Sequence, residues 1–144
     1  MKKKHKDFIE ENLRYLIITV DILNKGLQIN EWDKYQTAGI GAYLADVYKG
    51  YENILKALLE DKGIKIAKGE QWHKYLLETA KSEKLVPDEM STTLREMLGF
   101  RHLQIHGYSH ILKEKELRDS ALEAIKSHPI FEKHIKEILE TRNS

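Results

Sequence analysis

The chain is 144 residues long, enough to bury a core without cross-links, and reads as one domain over 1–144. It has no cysteine, which excludes disulfides and thiolate chemistry. With 24 Lys and Arg against 23 Asp and Glu the formal charge is +1, so any anion site must be local rather than a property of the whole surface.

The basic start Met1-Lys2-Lys3-Lys4-His5-Lys6 runs into Asp7, Glu10 and Glu11, not into the apolar core of a signal peptide. No apolar run approaches membrane-spanning length. The expectation is a soluble, cytoplasmic protein without membrane partners. Two prolines, eight glycines and 33% charged residues favour helices, and no segment reads convincingly as a strand. The predicted fold is therefore all-α, a bundle of five to six helices.

Residues 3–25 place Phe8, Ile9, Leu13, Leu16, Ile17, Val20 and Leu23 at three-four spacing, which predicts an amphipathic helix ended by Gly26. The apolar density from Leu13 to Ile22 predicts burial on more than one side. A second helix, capped by Asn30 with Asp33 in its first turn, runs to about Lys62, before Gly63. Trp32, Tyr35, Tyr43, Val47, Ile54 and Leu58 mark its packing stripe, with Tyr51 beside it. Gly39 and Gly41 suit a close helix crossing or a bend. Residues 63–69 form a polar connection in which Lys62, Lys65 and Lys68 could attract phosphate, although a solvated loop is the simpler reading.

A third helix spans about Glu70 to Lys84 and carries the adjacent pair Trp72-His73 near its start. After a break at Leu85-Val86-Pro87-Asp88, a fourth helix begins at Ser91 and frays near Gly107. A fifth covers 113–126. His128-Pro129 predicts a break, because proline suits the first position of a new helix, and a sixth runs to about Arg142.

Chemistry concentrates in Arg101-His102-Leu103-Gln104-Ile105-His106-Gly107-Tyr108, with a guanidinium, two imidazoles and a phenol in eight residues. At 3.6 residues per turn Arg101 and His106 stand about 140° apart, so within one chain they converge only if the helix distorts. A second copy packed by two-fold symmetry could bring both pairs into one cleft. The groups suit phosphodiester chemistry. Imidazole exchanges protons near neutral pH, and Arg holds phosphate oxygens with paired donors. RNA supplies its own nucleophile, the 2′-hydroxyl, so such cleavage requires neither a metal nor a protein nucleophile. Two other readings stay open. His102, His106 and His110 at i, i+4 and i+8 could share a metal, and the same residues could simply be the polar end of a helix.

Arg101, His106 and Tyr108 form R-x4-H-x-Y on a late helix of a small all-α chain, and this resembles the HEPN superfamily, more closely the HepT-like ribonuclease toxins. The segments Ala45–Ile54, with its Glu52-Asn53 pair, Gly69–Leu77, with Trp72-His73, and Leu98–Leu103, with Phe100-Arg101-His102, are similar to the family's in the same order. The resemblance implies a homodimer with the two motifs facing each other, and metal-independent endoribonuclease activity that needs no cofactor. Arg101 and His106 would be catalytic, with His102 and Tyr108 supporting or binding RNA. It further implies a toxin whose antitoxin is a minimal nucleotidyltransferase, with Tyr108 as the site of AMP addition. Ile105 stands where relatives often carry a second basic residue. The alternative is a non-catalytic HEPN module that binds a nucleotide or a partner.

Overall fold

The computed structural model describes residues 1–107 and 111–142. Among these residues five α-helices and one complete 3-10 turn follow in order: α1 Lys3–Leu27, α2 Lys34–Asp61, α3 Trp72–Ser82, the turn Asp88–Met90, α4 Ser91–Ile105 and α5 Glu114–Arg142. No strand occurs among the described residues, and none of their helices is long and apolar enough to cross a membrane. The all-α bundle expected from composition is the observed one, at the lower of the two expected helix numbers.

α2 is the central helix, packing on α1, α3, α4 and α5. Its sequence explains this position. Leu44, Val47, Tyr51, Ile54 and Leu58 form one fully buried stripe, and Tyr48, Glu52, Leu55 and Leu59 form a second beside it. Tyr35 and Tyr43 are exposed in the single chain, so they are not the packing residues the spacing predicted; Tyr35 is 75% exposed. α1 shows the same limit. Ile9, Leu13, Leu16 and Leu23 are buried, but Phe8, Tyr15, Ile17 and Ile18 face solvent in the single chain.

Three boundaries differ from expectation. The cap of α2 is Asp33 and not Asn30. The Asp33 carboxylate accepts from the Gln36 amide at 2.8 Å, while the Gln36 side chain accepts from the Asp33 amide at 2.9 Å, a reciprocal pair that satisfies two helix-end donors. Gly26 does not end α1. It is buried within the last turn of the helix, where an added Cβ would press on the tip of the Ile40 side chain of α2.

The third difference is that residues 114–142 form one helix through Pro129, not two. Leu117, Ala121, Ala124, His128, Phe131, Ile135 and Leu139 keep a single buried stripe across the proline. An interior proline costs ~3 kcal/mol. Burying Phe131, Ile135 and Leu139 on that stripe contributes about 1.5–3 kcal/mol each, so packing prevails over the local break.

Where α5 crosses α2, the Tyr51 hydroxyl lies 2.9 Å from His128 Nδ1, and the Phe131 ring packs on Tyr51 at 4.2 Å. Burial pushes the His128 pKa down from its ordinary 6.5, and the Glu132 carboxylate 3.3 Å away only partly opposes this. The unfolded chain therefore takes up this proton before the folded one does. Stability from this group is fully present above about pH 6.5 and falls as pH drops towards the folded-state pKa, by about 1.4 kcal/mol for each unit of depression. Urea unfolding at pH 7.5 and 5.5 should show a larger acid loss in the wild type than in His128→Gln. Equal losses would contradict the assignment.

Candidate functional site

α2 places Glu52 on its second buried stripe, between Tyr48 and Leu55, with 1% of its surface exposed. A carboxylate so removed from water needs nearby compensation. Lys49, one turn earlier, puts its ammonium 3.7 Å from one oxygen. The other oxygen lies 2.6 Å from His73 Nδ1. His73 reaches it because the chain turns at Gly69, whose φ of +151° suits glycine, and the Trp72 amide bonds the Gly69 carbonyl as α3 begins.

The other face of the His73 ring edge meets α4. Arg101 Nη1 lies 3.5 Å from His73 Nε2, a long contact at the limit of a hydrogen bond. A buried carboxylate, a half-buried imidazole and a half-buried guanidinium thus form a line through α2, α3 and α4. Tyr48 stands beside it. Burial first, then the Glu52 charge, push its phenol pKa up, while the Arg101 charge partly offsets the rise.

Arg101 is a donor only, so the His73 nitrogen facing it carries the lone pair. In a neutral ring the proton then sits on Nδ1, where Glu52 accepts it. Orientation and tautomer of His73 are set together by its two neighbours.

The motif histidines take another direction. His102 and His106 are exposed, with ring centroids 4.3 Å apart at i, i+4 spacing. α4 stays regular to its end, with the His106 amide donating to the His102 carbonyl at 3.1 Å. Gly107 then stops the helix at φ +77°, as its position predicted. Because the helix does not distort, Arg101 turns towards α3 while His106 pairs with His102. Single-chain geometry does not gather Arg101 and His106. Tyr108, and the His110 of the metal reading, lie outside the described residues; among the described residues no group of three or more His, Cys, Asp or Glu is placed to hold a metal.

Sequence reasoning noted Trp72-His73 and the Glu52-Asn53 pair but did not connect them to Arg101. One local signal was available for Glu52. It is an acid at the core phase of a helix, four residues from Tyr48 and three from Leu55, where an unpaired charge has no place.

A family model described as "HepT-like protein" matches residues 39–142. That span includes Glu52, His73, Arg101 and the motif histidines. No curated protein and no solved structure matches the chain.

The hydrogen-bond line makes a testable statement about one proton. Nitrogen-15 NMR of the histidine rings should find His73 as the Nδ1–H tautomer. Glu52→Gln should shift it towards the Nε2–H form usual for free imidazole. An Nε2–H tautomer in the wild type would mean that the Arg101 contact does not exist in solution.

Proposed function

The chain belongs to the HepT-like family, and on that premise we propose that it is a metal-independent endoribonuclease, the toxin of a toxin–antitoxin pair. The observation that carries this reading is the setting of Arg101. Its guanidinium stands at the surface end of a line that begins at buried Glu52, and it is held there by His73. A pre-oriented guanidinium accepts the charge of a phosphodiester without reorganising.

In the proposed reaction a neutral His106 imidazole takes the proton of a ribose 2′-hydroxyl. The 2′-oxygen attacks the adjacent phosphorus, and Arg101 holds the non-bridging oxygens as negative charge builds on them. The bond to the 5′-oxygen breaks, and an imidazolium returns a proton to that leaving oxygen. The products are a 2′,3′-cyclic phosphate and a 5′-hydroxyl. His102, whose ring is tilted against that of His106, orients or assists it, and the family resemblance assigns Tyr108 to the lining of the cleft.

Since Arg101 and His106 diverge on α4, the reading requires a homodimer in which each motif meets the other. The exposure of Ile105 within the motif and of Ile111 just after it supports an apolar contact there. The antitoxin would be a minimal nucleotidyltransferase that adds AMP to Tyr108. The added bulk and negative charge would exclude an RNA phosphate from Arg101.

Cleavage of a structured RNA in excess EDTA tests the reading, with end-group analysis of the products. Wild type should give cyclic phosphate ends. His106→Ala and Arg101→Ala should each lose about 100-fold or more, the usual scale for an acid–base or oxyanion-binding group. Binding of RNA without any product from unmodified wild-type protein would instead support the non-catalytic module.

A further inference from the structure

The connection between α2 and α3 carries Lys65 and Lys68, which play no part in the site above. The structure places it over a cavity of about 710 Å³. Leu59 and Leu76 are buried at its base, and Ile64, Ile66 and Trp72 form half-buried walls. Exposed Lys56, Lys65 and Lys68 line it, against one acid, Glu60. Lys62, also expected to attract phosphate, is not among them: it pairs with Glu83 at 3.0 Å.

An apolar, aromatic-walled cavity with an excess of two positive charges suits a ligand that is flat, partly apolar and anionic. A nucleotide within a strand has this character. The cavity also adjoins the candidate site. Trp72 is one of its walls, and the Trp72 ring stands edge-on to His73 at 4.9 Å, whose other edge faces Arg101.

We propose that this cavity is a subsite for single-stranded RNA. It takes a base next to the scissile phosphate against Trp72, and the flanking phosphates go to Lys65 and Lys68. The inference rests on the ribonuclease reading and names its substrate form. Lys56, whose ammonium lies 5.7 Å over the Trp72 ring, must yield that face to the base. Losing an exposed cation–π contact weakens the free state's arrangement by roughly 2–5-fold. Base–aromatic stacking gains roughly 5–150-fold, so exchange favours the base. Lys56 is then free to meet a phosphate. A double helix keeps its bases stacked within and cannot offer one to the cavity, so the site selects unpaired RNA.

The test is binding of a fluorescent, fully 2′-O-methylated single strand of roughly ten nucleotides, within the usual range of single-strand site sizes. This probe lacks the nucleophile and cannot be cleaved. Trp72→Leu should weaken binding by roughly 5–150-fold, while Trp72→Phe keeps most of it. Lys65→Gln/Lys68→Gln, both exposed positions, should lower the slope of log affinity against log salt by about 1.4, at ~0.7 per single-strand phosphate contact. Unchanged affinity and slope in the lysine pair overturn the proposal. So does a change in oligomeric state of that variant without a change in RNA affinity, which would assign the cavity to a second copy.

Cleavage separates this inference from the reading beneath it. A dinucleotide substrate, which has no flanking phosphate to reach Lys65 or Lys68, should be cleaved equally by wild type and the lysine variant, while a longer strand should show a raised KM in the variant. Cleavage of the long strand with unchanged KM would overturn the subsite alone. No cleavage of either substrate by wild type would remove the ribonuclease reading.

Discussion

The buried carboxylate of Glu52 is the constraint on which the candidate site depends. An ionised group at 1% exposure on the central helix is tolerable only with partners close by. Lys49 meets one oxygen from the same helix. His73 meets the other from α3, and through its second nitrogen His73 reaches Arg101 on α4. Compensation of one charge thus fixes how three helices present their polar groups. The apolar stripes of α2 set where the helices pack, and Glu52 sets what their facing ends do.

The same regularity that makes α4 a good scaffold separates the two motif groups. Five residues along an undistorted helix turn Arg101 and His106 about 140° apart. Arg101 is turned to α3 and backed by the interior; His106 sits at the helix end with His102, in water. A chain built this way holds the two groups of the proposed phosphodiester site on different faces. The proposed activity then belongs to an assembly, in which the guanidinium of one copy and the imidazole of another share a cleft. In the proposed arrangement the α2–α3 cavity would extend that cleft along a strand, with Trp72, which walls the cavity and meets the His73 ring, as the joint between them.

What the sequence made legible follows from the range of the interactions. Helix periods, the stop at Gly107 and the R-x4-H motif are local patterns, and all were readable. The dipeptide His128-Pro129 is local too, but burial of Phe131, Ile135 and Leu139 outweighs the cost of the proline, and that balance is a tertiary quantity. Asp33-Lys34-Tyr35-Gln36 held a capping signal that Asn30 obscured. Tyr35 and Tyr43 show that aromatic residues at helical spacing can mark a solvent face as well as a core. The Glu52–His73–Arg101 line spans residues far apart in the chain, and no spacing rule connects them.

Complementation between inactive chains tests the central claim most directly. Arg101→Ala and His106→Ala proteins, each without activity alone, are mixed and allowed to exchange subunits, and RNA cleavage is measured in EDTA. A site shared between copies gives mixed dimers that hold one intact guanidinium and one intact imidazole in the same cleft, so cleavage returns on mixing. If exchange is confirmed by mass and no cleavage returns, Arg101 and His106 do not act across an interface, and the account of how this fold assembles its site is wrong.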